Sequence, residues 1–468
     1  MLTYFPRYFS TRAIVAYFVT LILVSSFFIS YAMPFQFMLF GIVAVIVFFV
    51  YANKLTMNWQ KYSPALFTKK LFITAIVIRI IYVIFIYFYF LAMTGEPYAF
   101  NHGDEGLYHG MGEIWRHDGF AEFNNALMQY TAFSDRGYIY WIGFEYLIMG
   151  THVLSARLIK CIIDAFSCVL IYNLAKRNFS ESTGRIAAIF CMLMPNMWYY
   201  CGVTLKETEM AFLVILFVER ADFALRSPKI TIGNLLLPGV IILVMFTFRT
   251  ALAGVLVAAL TAALIFSSGK QLKTWKKVLF CSLFAGWMFL TVGAEVVEET
   301  RMLWEGRGES QTAGYEWRAT RVGGNTFAKY ASASVFAPLI FTIPFSSMVY
   351  IPNQENQMMM NGANFIKNVL SGLTILALFL LLIRGDWRTH VLPISVMCGY
   401  LVVLVFSNFA HSERFHFPIL AFELMFAAYG VSQLTNKHKR WYMMWLVGMC
   451  IANIAWAWIK LAGRGYSI

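Results

Sequence analysis

Residues 71–93 read LFITAIVIRIIYVIFIYFYFLAM, an apolar run in which Arg79 is the only charged side chain. A helix of about 20 apolar residues is long enough to cross the hydrocarbon core of a bilayer. Similar runs recur along all 468 residues, and the composition is 60% hydrophobic, 18% aromatic and 13% charged. These values exclude an ordinary soluble protein. The sequence therefore predicts an all-α fold, a polytopic membrane helical bundle.

The apolar runs predict about thirteen membrane spans. These lie near 13–32, 34–51, 71–93, 153–175, 186–203, 208–225, 232–248, 250–267, 277–296, 366–383, 389–407, 416–434 and 441–459. The run 138–150 is too short to span and is expected to lie at the interface or to re-enter. The run 331–350 is expected to be a re-entrant or surface segment. No repeat of fixed period is apparent, so residues 1–468 are expected to form a single transmembrane domain.

The net charge of +13 comes from Lys and Arg residues that cluster between the apolar runs. These clusters are Lys54, Lys61, Lys69 and Lys70; Lys176, Arg177 and Arg185; Lys270, Lys273, Lys276 and Lys277; and Lys437, Lys439 and Arg440. Placing all of them in the cytoplasm gives one consistent topology, as the positive-inside rule requires. The charge therefore indicates topology, and nucleic acid is not expected as a partner. The loops 94–137 and 297–365 and the stretch Asn408–Phe415 then lie on the outer face.

The first outer loop contains two adjacent acids, Asp104 and Glu105, between His102-Gly103 and Gly106-Leu107-Tyr108-His109. Carboxylates beside a lipid surface are costly to keep there, so they often mark a functional site. Such a pair suits a general base acting on a hydroxyl, or the binding of a divalent metal ion. A solvated Asp104 that caps the following helix is the alternative. The two His and two acids match no established metal-ligand spacing, so a metal stays open.

Several polar residues near the outer face are candidates for binding a substrate or its phosphate. They are Arg157, Lys206, Arg249 and Arg414, with His102, Tyr108, Glu207 and His411 beside the acids and the cations. Arg binds phosphate bidentately and stays charged in apolar surroundings, so Arg249 and Arg414 are preferred to Lys206. The alternative for each cation is a side chain that only fixes the depth of a helix end.

Two further charges, Arg79 and Asp164, fall inside predicted spans. Charged residues within a membrane helix are usually paired or functional. One hypothesis is a structural ion pair between the two residues, and a functional role for either charge is the alternative.

The order of these features resembles a known family. An outer-loop acid pair is followed by a short interface segment ending at Gly150, by a helix from Arg157-Leu158 to Ala175-Lys176-Arg177, and by a returning helix with Pro195 near its outer end. A weaker similarity lies at Glu413–Pro418. The pattern, clearest over residues 70–226, is similar to the polytopic C-type (GT-C) glycosyltransferases, in particular to bacterial relatives of the protein mannosyltransferases and of the lipid A aminoarabinose transferase.

The resemblance implies an enzyme of a bacterial inner membrane that takes a sugar from a polyprenyl-phosphate donor on the periplasmic side. The acceptor would be a hydroxyl of a glycan, a lipid or a protein. By this resemblance Asp104 is the base that deprotonates the acceptor, with Glu105 as its neighbour or alternate, and the sugar is transferred with inversion. Outer loop 297–365 interleaves aromatic, acidic and Arg residues and is a candidate acceptor platform.

Two other functions fit the same sequence. A polymerase or ligase that moves whole lipid-linked oligosaccharides needs the same base, cations and lipid contacts. A transporter or flippase fits the size and span count, but such proteins often place charges near the bilayer midplane. In this chain the polar residues cluster toward one face, which favours an interfacial enzyme.

Overall fold

The structure is a computed structural model that describes residues 2–227, 232–266, 338–406 and 410–466, together with 286, 293, 297–298 and 301. Its helices with defined bounds are α1 (Arg7–Phe27), α2 (Phe35–Asn58), α3 (Pro64–Thr94), α4 (Gly103–Asp118), α5 (Phe120–Tyr130), α6 (Phe133–Met149), α7 (Val153–Asn178), α8 (Glu181–Leu193), α9 (Pro195–Cys201), α10 (Glu207–Arg226), α11 (Ile232–Phe248), α12 (Thr250–Phe266), α13 (Glu355–Met359), α14 (Asn361–Arg384), α15 (Val391–Val405), α16 (Glu413–Ser432) and α17 (His438–Ala462). No β-strand is defined within the described residues. The predicted all-α membrane bundle is confirmed.

Eight helical segments are long and apolar enough to cross a membrane, judged by length and composition within the described residues. They are Arg7–Phe27, Phe35–Lys61, Pro64–Thr94, Val153–Asn178, Asn361–Arg384, Asp386–Val405, Glu413–Ser432 and His438–Ala462. Helices α11 and α12 are apolar but shorter. The predicted span 277–296 falls almost entirely outside the described residues. The first span was predicted to start at residue 13, but α1 already begins at Arg7. The first turn of α1 is polar, so the apolar run does not include it.

The predicted span 186–203 is wrong as a single helix, because it divides into α8 and α9. Pro195 has no backbone N–H and disfavours helical geometry in the residue before it. Met194 accordingly adopts extended backbone angles, with φ −69° and ψ 117°. The indole of Trp198 donates a hydrogen bond of 2.8 Å to the carbonyl of Met192, which the break has left without a helical partner. The carbonyl of Met192 therefore still has a hydrogen-bond partner despite the break in the helix.

The inner helices pack closely through glycine. A Cβ atom at Gly430 of α16 would lie 2.3 Å from the carbonyl oxygen of Leu373 in α14, and one at Gly362 of α14 would lie 2.5 Å from the carbonyl oxygen of Gly41 in α2. Small residues let membrane helices approach until their backbones touch. Helix α16 is consequently buried along nearly its whole length, whereas α1, α2 and α3 expose aliphatic and aromatic side chains around the bundle.

Most of the described part of the predicted segment 331–350 is irregular backbone buried in the protein, so the surface alternative is wrong and the re-entrant alternative stays a prediction. Residues 338–350 form turns and extended backbone, and most of their side chains are buried. Lys367 donates a hydrogen bond of 2.6 Å to the carbonyl of Ile343, and the amide of Asn453 accepts one of 2.7 Å from the N–H of Ser346. Irregular backbone inside a membrane protein is stable only where protein groups satisfy it in this way.

The connections between helices gather at two ends of the bundle. The Asp104 end consists of residues 95–152, the turn 202–206, Arg249 and the start of α16. The Lys61 end consists of residues 59–63, the α7–α8 turn and the α14–α15 turn. There Arg185 donates hydrogen bonds of 2.7 and 2.8 Å to the carbonyls of Trp59 and Tyr62. The predicted Arg79–Asp164 ion pair lies between the two ends, completely buried, and is confirmed.

Candidate active site

The two adjacent acids of α4 point into different surroundings. Both lie in the first turn of the helix, and successive residues of an α-helix are about 100° apart around its axis. The side chain of Asp104 is 53% exposed, whereas that of Glu105 is 2% exposed. No side-chain hydrogen bond caps the start of α4, so the capping role considered for Asp104 is not observed.

Glu105 links three segments of the chain. Its carboxylate accepts hydrogen bonds from the N–H of Ala99 at 3.1 Å, from Nη2 of Arg157 at 3.0 Å and from the N–H of Thr204 at 2.6 Å. Arg157 also donates through Nε to the hydroxyl of Thr204 at 3.3 Å. A buried carboxylate with these partners is held in place and has no free approach to a substrate. The geometry therefore favours Asp104 over Glu105 as the reactive acid.

The turn 202–206 is rigid because several buried groups bind its backbone. Glu105 accepts the N–H of Thr204, and the ammonium group of Lys160 donates to the carbonyls of Val203, at 3.0 Å, and Leu205. Lys160 also lies 3.4 Å from a carboxylate oxygen of Glu209. This turn fixes the position at which α10 begins.

Four charged residues from four segments meet beside this turn; we call Asp104, Glu207, Arg249 and Arg414 the Arg414 cluster. Arg414 donates through Nη1 to Oδ2 of Asp104 and through Nε to Oε1 of Glu207. Nη2 of Arg249 lies 3.7 Å from the same oxygen of Glu207. The cluster thus contains a half-exposed carboxylate beside Arg414 and a second guanidinium group, that of Arg249, at the shared Glu207. A base and an anion-binding site require such groups.

Two aromatic residues fix Arg249 within this cluster. Nη1 of Arg249 donates a 3.0 Å hydrogen bond to the hydroxyl of Tyr400, and its guanidinium carbon lies 4.4 Å from the ring centroid of Phe415. Cation–π contact and a hydrogen bond both favour the charged guanidinium in a site that is largely buried. Tyr400 lies inside an apolar helix, so the sequence carried no signal of its role.

Lys206 is near the cluster but already fully engaged. Its ammonium group donates to the carbonyls of Ser134, at 2.9 Å, and Phe248, at 2.7 Å, and to the carboxylate of Asp135. Burial lowers the pKa of Lys206, and the nearby Arg249 lowers it further. Lys206 therefore joins α6 to α11 and is not positioned to bind phosphate. Asp135 is a residue that sequence reasoning missed, although it stands as an acid directly before an apolar run.

Tyr108 binds the same carboxylate as Lys206, that of Asp135. His102 and His411 do not belong to the Arg414 cluster. The hydroxyl of Tyr108 donates to Asp135 at 3.2 Å, and burial, followed by the charge of Asp135, raises the pKa of Tyr108. His102 stacks on Tyr98 and lies 3.2 Å from Glu96. His411 lies against the ring of Trp456, with 5.0 Å between ring centroids.

The metal that the sequence left open has no preformed ligand set within the described residues. No group of three or more His, Cys, Asp or Glu side chains there is arranged to hold an ion. The outer loop 297–365, the predicted acceptor platform, is described only at residues 297, 298 and 301 before residue 338. Its aromatic and Arg residues between 302 and 337 lie outside the described residues, so the platform stays a prediction.

Two family models match the chain in separate parts. The dolichyl-phosphate-mannose-protein mannosyltransferase model matches residues 137–294, and the Alg9-like mannosyltransferase model matches residues 329–466. Both families are membrane glycosyltransferases of the GT-C type. The chain is a GT-C-type membrane glycosyltransferase. No curated protein and no solved structure matches it.

The residues around the Arg414 cluster of this glycosyltransferase fall in different matched regions. Glu207 and Arg249 lie in the first region, whereas Tyr400 and Arg414 lie in the second. Asp104 lies before both regions. The two families use lipid-linked sugar donors. The matches to them therefore favour an enzyme over a transporter or flippase.

Proposed function

We propose that this glycosyltransferase transfers a sugar from a polyprenyl-phosphate donor to an acceptor hydroxyl at the Asp104 end, on the periplasmic side of a bacterial inner membrane. The observation that carries the proposal is the Arg414 cluster, in which the half-exposed carboxylate of Asp104 pairs with Arg414, and Glu207 joins Arg414 to a second arginine, Arg249, at one end of a membrane bundle. The acceptor belongs to a glycan, a lipid or a protein.

The reaction needs little covalent help from the protein, because a lipid phosphate is already a good leaving group. The acceptor oxygen forms a bond to the anomeric carbon of the sugar while the bond from that carbon to the phosphate oxygen breaks. The acceptor proton passes to the carboxylate of Asp104, and the electron pair of the broken bond stays on the lipid phosphate. Attack from the face opposite the phosphate inverts the anomeric centre.

Arg414 and Arg249 match the charge that develops in this step. The donor phosphodiester carries one negative charge, and the departing lipid phosphate gains a second. Guanidinium groups fixed in a largely water-excluded site stabilise such charge without having to reorganise. Glu207 and Tyr400 hold these two groups, while Glu105, Arg157 and Lys206 hold the segments around them.

The distribution of Lys and Arg supports the assignment of faces. Lys61, Arg177 and Arg185 lie at the Lys61 end, opposite the Arg414 cluster. Positive clusters remain on the cytoplasmic side of membrane proteins. The Asp104 end is then on the far side of the membrane from the cytoplasm.

The test is transfer of labelled sugar from a polyprenyl-phosphate donor pool in membranes that contain the full chain. Asp104→Asn is expected to lower the rate by about 10²-fold or more, because a general base contributes that much. The matched control is Asp118→Asn, which removes the same charge from the exposed end of α4, about 21 Å along the helix. Equal rates for wild type and both variants, at equal amounts of folded protein, would contradict Asp104 as the base.

The size of the transferred unit separates the single-sugar transferase from the polymerase or ligase. Mass spectrometry of the product is expected to show one added sugar residue. An added oligosaccharide of several residues would favour the polymerase or ligase and leave the role of Asp104 unchanged.

A further inference from the structure

The two carboxylate partners of Arg414 differ sharply in their exposure. Glu207 is completely buried, whereas the side chain of Asp104 is 53% exposed. A half-exposed ion pair contributes little stability because water solvates the separated charges well. Removing a partner from a buried pair is costly, since the other charge then stays desolvated. Asp104 is therefore the partner that another anion can replace, and Glu207 is the partner that stays.

Glu207 also orients the second guanidinium group. Its Oε1 accepts from Arg414 and lies 3.7 Å from Nη2 of Arg249. With a fully buried side chain, Glu207 has no direct access to a substrate. It acts through the two arginines and is a positioning residue.

Counting charges shows which anion fits the place of Asp104. Two arginines and two carboxylates sum to zero in the Arg414 cluster. A phosphodiester carries one negative charge, so exchanging it for Asp104 keeps the cluster neutral. Arg414 presents a planar fork of N–H donors, which matches phosphate oxygens as well as carboxylate oxygens.

We propose that the phosphate of the lipid-linked donor displaces Asp104 from Arg414, so that donor binding frees the carboxylate that acts on the acceptor. Glu207 stays in place and positions Arg414 and Arg249 during the exchange. Oδ2 of Asp104 accepts the hydrogen bond from Arg414, so release from Arg414 leaves this oxygen open to the proton of the acceptor hydroxyl. The base then becomes active only after the donor is bound. The exchange rests on the proposed function, since it concerns the same site.

Binding of farnesyl phosphate to the full chain in detergent at about pH 5, where this monoester carries close to one negative charge like the donor phosphodiester, tests the exchange without a sugar or an acceptor. Asp104→Asn is expected to tighten binding about two- to fivefold, because the probe no longer competes with a half-exposed ion pair. Asp118→Asn is expected to bind like wild type, and Arg414→Gln about tenfold or more weakly, since it removes a charged hydrogen-bond donor. Unchanged or weaker binding by Asp104→Asn would overturn the exchange.

A measurement on the wild-type protein covers the case in which a variant does not fold. A water-soluble carbodiimide modifies accessible carboxylates, and mass spectrometry locates the modified residues. Saturating farnesyl phosphate is expected to increase modification of Asp104, while exposed Asp118 stays constant and buried Glu105 stays unmodified. Modification of Asp104 that is constant or reduced would contradict its release.

Glu207→Gln tests the positioning role through steady-state kinetics. It is expected to raise the KM for the donor more than it lowers kcat, because both arginines lose the group that orients them, and Glu207→Asp is expected to restore part of the loss. A merely structural role would reduce the amount of folded enzyme and leave the KM of the remaining enzyme unchanged.

The outcomes also separate the exchange from the proposed function. If Asp104→Asn abolishes transfer but binds farnesyl phosphate no more tightly, the exchange is wrong and the catalytic role of Asp104 stands. If that variant binds more tightly yet still transfers sugar, the exchange stands and the base is another group.

Discussion

At the scale of single residues, burial decides what each acid at the Asp104 end can do. Asp104 is half-exposed and pairs with Arg414, while Glu105 beside it is enclosed and bonded to the protein. Glu145 on α6 is also buried, and the indole of Trp141 donates a 2.7 Å hydrogen bond to its carboxylate. Burial, and next the charge of Glu209, raises the pKa of Glu145 to about 8. Three acids of similar intrinsic chemistry thus lie in three different environments.

Glu145 gives a pH dependence with a defined sign. Its pKa in the folded protein lies above the ordinary value of 4.5, so the folded state favours the protonated acid. That contribution to stability is complete below pH 4.5 and is lost as the pH rises through about 8. Relative to Glu145→Gln, the free energy of unfolding of wild type is expected to fall by up to about 1.4 kcal/mol per pH unit in this window.

Thermal unfolding of the detergent-solubilised protein from pH 5 to pH 8.5 measures the effect, with Glu122→Gln on the exposed face of α5 as the control. Parallel pH dependences for wild type and Glu145→Gln would rule out a raised pKa for Glu145.

At the scale of elements, the contacts between helices depend on small residues and on one break. The break at Pro195 ends α8 and lets α9 lead into the turn 202–206, from which α10 starts with Glu207. Gly430 lets α16 touch α14 through its backbone, so that Arg414, at the first turn of α16, reaches α10 and α4. The geometry of the Arg414 cluster therefore depends on packing far from it.

Gly430→Ala tests this packing. The added Cβ would lie 2.3 Å from the backbone oxygen of Leu373, so α14 and α16 must separate, and overpacking of this kind costs about 1–3 kcal/mol. A Cβ at Gly448 on α17 meets nothing within 4 Å, so Gly448→Ala is expected to be neutral or slightly stabilising. Melting temperatures of the two variants give the comparison. Equal values would mean that the α14–α16 contact adjusts freely.

At the scale of the whole molecule, the two ends of the bundle have different chemistry. The Asp104 end holds the Arg414 cluster and the short helices α4, α5 and α6, whereas the Lys61 end holds basic residues paired with acids, such as Arg177 with Asp222 at 2.6 Å. Positive charge on one side orients a membrane protein. This difference between the two ends is the basis of the proposed orientation of the enzyme across the membrane.

This orientation is open to cysteine labelling in intact cells. Asp118→Cys and Lys61→Cys place exposed thiols at the two ends of the bundle. A membrane-impermeant maleimide is expected to label the first from outside and the second only after the inner membrane is made permeable, with the unmodified chain giving the background of its native cysteines. Labelling in the reverse order would put the Arg414 cluster on the cytoplasmic side.

The sequence by itself determined the fold class and the position of most helices, because long apolar runs in a bilayer have to form helices that satisfy their own backbone. The runs 232–248 and 250–267 match α11 and α12 almost to the residue. Position along the chain also predicted the Arg79–Asp164 pair, since charges inside spans seek partners. The order of spans and polar loops further indicated that Asp104, Arg249 and Arg414 lie near the same face of the membrane.

Only the tertiary structure decided which polar residues meet and which are available. Asp104 and Arg414 are 310 positions apart in the chain, and their contact depends on how α4, α10 and α16 pack. Sequence ranked Asp104 before Glu105 by the family resemblance and Arg249 before Lys206 by the chemistry of arginine, but it could not give the exposure or the partners of any of the four side chains. Tyr400 stayed hidden for the same reason. A hydroxyl inside an apolar helix acquires a role only when another helix brings Arg249 within hydrogen-bonding distance.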